Sequence, residues 1–367
     1  MKYVRMPIEI ESPEQMGYEN VKYNLTESSV TDMFLGDIDI NLNKLVLCYG
    51  DHIGKYELRE LIAKEYNLNA DNVLLTVGAA AALFIINTSI LDKDSHLIVM
   101  RPNYGTNIET PKALECDISY LDLDFNKDFK LDIDEIESLI RPETKMISLT
   151  YPHNPTGVMI TESELKKVID ICEKNNCYLL FDETYREMSF VEKLPLAATL
   201  SNKVISISSV SKAYGLPGIR MGWLICKDET LMNTFLGAKE QIYICNSVVD
   251  EEIAYTFLKN KESYFKKINQ HILDNYNIVE NFMNNQNYLE WVKPSGGVVC
   301  FPRIKSSLNI DIEKFYKTLN EKYKTYVGNG HWFEMDKHFM RIGYGWPDKE
   351  QLSQGLKNII SSIEDCI

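Results

Sequence analysis

Four short stretches of this 367-residue chain combine reactive side chains with turn residues. Asn154-Pro155-Thr156-Gly157 follows an apolar run ending near Thr150-Tyr151. Asp182-Glu183-Thr184-Tyr185 closes the next run. Ser208-Ser209-Val210-Ser211-Lys212 closes the one after, and Gly218-Ile219-Arg220 follows directly. A lysine amine condenses with an aldehyde to a Schiff base, and pyridoxal 5′-phosphate (PLP) is the usual biological case. The ring of that cofactor withdraws electrons best when its nitrogen stays protonated, which calls for a carboxylate such as Asp182. Its phenolic oxygen wants donors, which Asn154 and Tyr185 offer. Its phosphate wants an anion cradle. Ser209 and Ser211 provide hydroxyls, Arg220 a charged fork, and Gly78-Ala79-Ala80 backbone N–H groups at a helix start.

These residues need a scaffold that brings them together. Leu97–Met100, Met146–Leu149, Tyr178–Phe181, Val204–Ile207 and Trp223–Cys226 are short and apolar on both faces, as central strands of a mostly parallel sheet are. Helical patterns lie between them. Thr161–Asn175 opens with Thr161-Glu162-Ser163-Glu164, a capping box, and carries Leu165, Val168, Ile169 and Cys172 on one face. Strands alternating with helices predict an α/β fold with a large doubly wound domain. In such a sheet successive strand ends share one edge, where ligands bind. The character changes near Glu251. A long helix is expected over Glu251–Asn284, strands over Gly296–Phe301 and Phe339–Ile342, and a last helix over Lys349–Ile363. The expected organisation is a large domain over 46–255 and a small α+β domain over 256–367, joined by the segment 1–45.

Composition narrows the function classes. The net charge is −14, from 53 acidic and 39 basic residues. A chain this acidic gains nothing from the counterion release that drives nucleic-acid binding, and anionic membrane surfaces repel it. No apolar run reaches membrane-spanning length, and Met1–Glu9 does not read as a secretory signal. The eight cysteines are scattered without a CxxC pair, so free thiols and a cytoplasmic location are expected, with no metal site.

The stretches Tyr151–Gly157, Asp182–Tyr185 and Ser209–Lys212, with Gly218, Arg220, Gly222 and Trp223 following, resemble the class I/II aminotransferases. These are PLP enzymes of fold type I. The resemblance runs from about Tyr49 to Arg341. It implies that Lys212 carries the cofactor and moves the substrate α-proton, that Asp182 pairs with the ring nitrogen, and that Asn154 and Tyr185 hold the phenolic oxygen. It implies further that Tyr104 stacks on the ring, that Arg341 binds the substrate carboxylate, and that Tyr49 reaches the phosphate of a neighbouring subunit in a homodimer. Gly78-Ala79-Ala80 lacks a hydroxyl that many members carry there. Leu25–Val30 and Gly328–Phe333 also depart from the common pattern; these segments usually shape the side-chain pocket.

The expected activity is transfer of an amino group between an amino acid and a 2-oxo acid. A lyase, cyclase or oxidase of the same fold would use the same residues. A regulator built on this fold would carry a DNA-binding module, for which the chain has no spare length.

Overall fold

The computed structural model describes residues 1–367. Thirteen strands follow one another along the chain. The first, β1 (Tyr23–Leu25), is followed by β2 (Val73–Val77), β3 (His96–Arg101), β4 (Asp117–Asp122), β5 (Thr144–Thr150), β6 (Tyr178–Asp182), β7 (Val204–Ser209) and β8 (Met221–Ile225). After them come β9 (Leu289–Glu290), β10 (Val299–Cys300), β11 (Arg303–Ile304), β12 (Thr325–Asn329) and β13 (Met340–Gly343). Seven strands form one sheet in the order β2-β8-β7-β6-β5-β3-β4. All run the same way except β8, which is antiparallel to both neighbours.

Successive side chains of the central strands face opposite sides, as the twofold period of a strand requires. Ile98, Ile147 and Leu179 pack with Leu165 and Val168 of the helix Glu162–Lys174. Leu97, Val99, Met146 and Leu180 pack on the other side with Leu83 and Ile86, and with Phe235 of the helix Glu229–Tyr243. Burial on both faces is what made these runs read as uninterrupted apolar segments. The helix Glu162–Lys174 starts as expected. Thr161 Oγ1 accepts from the Glu164 N–H at 3.2 Å, and the Glu164 carboxylate accepts from the Thr161 N–H at 2.7 Å.

A second sheet has the order β1-β12-β13-β10. β1 runs parallel to β12, pairing Tyr23–Leu25 with Thr325–Val327. The helix Lys349–Glu364 covers this sheet, with Gly355 packed against Leu25. The long helix expected over Glu251–Asn284 is two helices, Val248–Lys259 and Lys261–Asn284. Asn260 breaks it: its side-chain amide donates to the Thr256 carbonyl at 3.0 Å, and such back-bonding competes with continued helix. The strand expected over Gly296–Phe301 shrinks to Val299–Cys300, because the Ser295 and Gly296 amides donate to Gly157 O at 2.8 and 2.9 Å instead of to a ladder. No helix is long and apolar enough to cross a membrane. All eight cysteines are free; five are buried and Cys48 is exposed.

Candidate active site

The parallel strands deliver β2, β5, β6 and β7 to one edge of the large sheet by their C-terminal ends. The reversed strand β8 begins at that same edge, which places Arg220 beside the ends of the others. There the chain encloses a cavity of about 350 Å³. Lys212, Asp182, Asn154, Tyr185, Tyr104, Ala79, Ala80, Ser209, Ser211, Arg220 and Arg341 all line it. Gly78 lies directly against the Arg220 guanidinium. Tyr49 is outside: its side chain sits on the surface, 80% exposed.

Asp182 ends β6 with its carboxylate buried. One oxygen accepts from the Thr184 N–H at 3.0 Å and the Thr184 hydroxyl at 2.6 Å. Burial raises its pKa, and the Thr184 donors only partly oppose that. A buried carboxylate facing a cavity in this state favours a cation beside it. Lys212 is half-buried, and burial pulls its pKa down; the Glu27 carboxylate opposes this, while Arg341 and Arg220 reinforce it. A lowered lysine pKa increases the share of neutral amine, the nucleophilic form. Tyr185 is buried, donates its hydroxyl to Ser28 Oγ at 2.9 Å, and has its pKa pushed up to about 12 by burial.

The residues expected to form the anion cradle bring backbone N–H groups and one guanidinium together. Gly78 opens the helix Gly78–Ile90 with φ 71°, a left-handed conformation that glycine tolerates best. A Cβ there would lie 2.6 Å from Arg220 Nη2. Arg220 in turn donates to Ser211 Oγ at 3.3 Å and to Pro217 O at 3.0 Å. Ser209 Oγ accepts from the Ser211 N–H at 3.3 Å. Gly222 allows β8 to approach the helix start: a Cβ on it would stand 2.5 Å from the Gly78 carbonyl carbon and 2.7 Å from Ala79 N. Backbone cannot yield there as a side chain can. Gly222→Ala is therefore expected to cost about 1–3 kcal/mol in a denaturant melt, by overpacking. The same displacement should weaken uptake of PLP by cofactor-free protein roughly tenfold or more in an absorbance titration, because anion binding depends on those N–H directions.

Arg341 lies on β13 and is buried. Its Nη1 donates to Asn154 Oδ1 at 3.0 Å and its Nη2 to Thr26 O at 2.6 Å, leaving Nε buried without a partner. The donor set fits PLP: an amine for the aldehyde, a buried acid for the ring nitrogen, and a backbone-and-guanidinium nest for the phosphate.

The segments Leu25–Val30 and Gly328–Phe333 reach the pocket as expected, through Thr26, Glu27, Ser28 and Trp332, but sequence reasoning did not foresee the part played by residues 8–14. Two short helices, α1 (Pro7–Glu11) and α2 (Pro13–Met16), and the segment after β1 supply Ile8, Glu9, Ser12, Glu14, Thr26, Glu27 and Ser28 to the lining. Trp332 is there too, its indole N–H donating to Glu11 at 2.6 Å. No motif or periodicity in residues 8–14 signalled that they would close the site. His153 has a supporting role, bonding Thr156 and Pro102 O.

A family model described as aminotransferase class I and II matches residues 21–359. An aspartate aminotransferase of Pyrococcus horikoshii is 26% identical, over 86% of this chain and 83% of that protein. The HTH-type transcriptional regulator NorG of Staphylococcus aureus is 25% identical, over 88% of this chain and 74% of the regulator. Among solved structures, a PLP-dependent aminotransferase from Streptococcus suis superposes with a TM-score of 0.91 at 24% identity, covering 100% and 99% of the two chains. The PLP-dependent cyclase OrfR superposes with a TM-score of 0.89 at 22% identity, covering 100% and 98%.

Proposed function

Since the chain belongs to the class I and II aminotransferases and uses pyridoxal 5′-phosphate, we propose that it moves an amino group between an amino acid and a 2-oxo acid. The observation that carries this reading is the convergence of Lys212, Asp182, Asn154 and Arg341 on one cavity. When bound, PLP supplies a sink for the electron pair left when the substrate Cα–H bond breaks. Lys212 would hold the cofactor; once displaced by the substrate amine, its free amine would take the proton from Cα, and a base anchored at one point of the site directs proton loss from one face. Asp182 would serve the ring nitrogen, and Asn154 with Tyr185 the phenolic oxygen. Tyr104 would pack on the ring. Ser209, Ser211, Arg220 and the N–H groups of Gly78-Ala79-Ala80 would hold the phosphate. Arg341, with Nε unpartnered, orients the substrate by its carboxylate.

A homodimer belongs to this reading, with Tyr49 completing the phosphate site of a second copy. Tyr49 stands beside exposed Val46 and Leu47, apolar surface that a partner would cover. Residues 46–255 act as the cofactor-binding domain, and 256–367 with 1–45 as the small domain. The unpaired thiols suit a cytoplasmic location.

The test is a panel of amino acids incubated with the PLP-loaded protein and 2-oxoglutarate. Keto acid and glutamate formed in equal amounts are expected. Ammonia or pyruvate released without need of an acceptor would instead assign elimination.

A further inference from the structure

The cavity contains more charge than the cofactor and a substrate carboxylate account for. Lys212, Asp182 and Arg220 are taken up by the cofactor in the assignment above, and Arg341 by the carboxylate. Three carboxylates remain in the lining: Glu9, Glu14 and Glu27. No lysine, arginine or histidine side chain forms an ion pair with any of them. Glu9 accepts one long hydrogen bond, from the Tyr104 hydroxyl at 3.5 Å. Glu27 accepts two, from Asn24 Nδ2 at 3.3 Å and the Tyr18 hydroxyl at 3.5 Å.

Glu9 and Glu14 are exposed, on α1 and α2, whereas Glu27 is half-buried on the segment after β1. Burial raises the Glu27 pKa; Lys212 and Arg341 oppose this and Glu14 adds to it. Lys212 and Arg341 are committed to the cofactor and the substrate carboxylate in the assignment above, and a half-buried carboxylate left without a cation in direct contact is costly to keep charged. In the same cavity Arg341 is 4% exposed, with Nε unpartnered. That is the complementary demand, a site for an anion. One ligand with a carboxylate at one end and a cation at the other meets both demands.

We infer that the substrate of this site is an amino acid with a cationic side chain, an ammonium or a guanidinium, whose charge is read by Glu27 with Glu14 and Glu9. This rests on the reading of Lys212 and Arg341 given above. It also separates the chain from the relative named an aspartate aminotransferase, because an acidic side chain would face three carboxylates of like charge. Such unpaired like charge is how a site rejects a competitor.

The test uses the PLP-loaded protein and measures dissociation constants for L-arginine, L-lysine, L-norleucine and L-aspartate from the change in cofactor absorbance. Arginine or lysine should bind about tenfold tighter than norleucine and about 100-fold tighter than aspartate. In Glu27→Gln the ratio of arginine to norleucine affinity should fall about tenfold. In Glu27→Lys the order should reverse, with aspartate preferred over arginine. Wild-type protein that prefers aspartate or norleucine to both basic amino acids overturns the inference and leaves the proposed aminotransferase intact. So does an affinity ratio unmoved in both variants. Protein that takes up the cofactor yet binds no amino acid overturns both. If the variants do not fold, the wild-type order decides alone.

Discussion

Lys212→Ala is expected to leave a folded protein that turns over at least ~10⁴-fold more slowly and lacks the yellow absorbance of a lysine-bound cofactor. Two contributions disappear together: the covalent anchor and the base that moves the proton. The fold should survive. The Lys212 amine makes no hydrogen bond within the chain, and the segment is tied down by backbone, Val30 N–H to Lys212 O at 3.1 Å and Met33 N–H to Gly215 O at 2.9 Å. The denaturation midpoint should therefore correspond to a change of about 1 kcal/mol or less. The decisive measurement is turnover beside an absorbance spectrum. A variant as active as the parent would remove Lys212 from the chemistry.

Asp182→Asn comes next in size. The substitution keeps the shape and can keep both Thr184 hydrogen bonds, so what it deletes is charge. Removing one member of a buried charge pair typically costs 2–5 kcal/mol, which translates to roughly 30- to 5,000-fold. We expect kcat to fall on the order of 10³-fold and PLP to bind at least ~30-fold more weakly, read from steady-state rates and a cofactor titration. The cofactor-free protein should respond in the opposite direction. There the Asp182 pKa is raised above its unfolded value, so the native state holds the proton more tightly than the unfolded chain does. Stability then falls as pH rises from the ordinary carboxylate range through the raised value. Asparagine is free of that penalty. Cofactor-free Asp182→Asn should be the more stable protein at neutral pH, and the advantage should vanish in acid. A urea melt at two pH values separates these outcomes.

The cofactor half of the site was legible because it is local. Asp182, Ser209 and Lys212 each follow an apolar run within a few residues, and parallel strands send such ends to one edge. Arg220 was legible as a residue type, but the reversal of β8 that swings it to that edge was not. The substrate half depends on contacts between distant parts of the chain. Arg341 meets the Thr26 carbonyl 315 residues away, and Tyr185 meets Ser28 157 residues away. Nothing in the periodicity of residues 1–30 announces those meetings, since α1 and α2 are single turns started by proline rather than amphipathic helices. Asn260 shows a smaller failure of the same kind. An asparagine within an apolar helical pattern reads as a solvated position, while its side chain in fact ends one helix.

Arg341 and Asn154 share one hydrogen bond across the seam between the two sheets. The group assigned to recognising the substrate thus leans on a group assigned to tuning the cofactor. Specificity and reactivity are mechanically geared here. Anyone re-engineering Arg341 to admit amines without a carboxylate would also release the Asn154 amide, changing the colour and acidity of the chromophore along with the choice of guest. Selection would meet the same constraint, which makes the Glu27 side chain, bonded to neither Arg341 nor Asn154, the freer place to change diet.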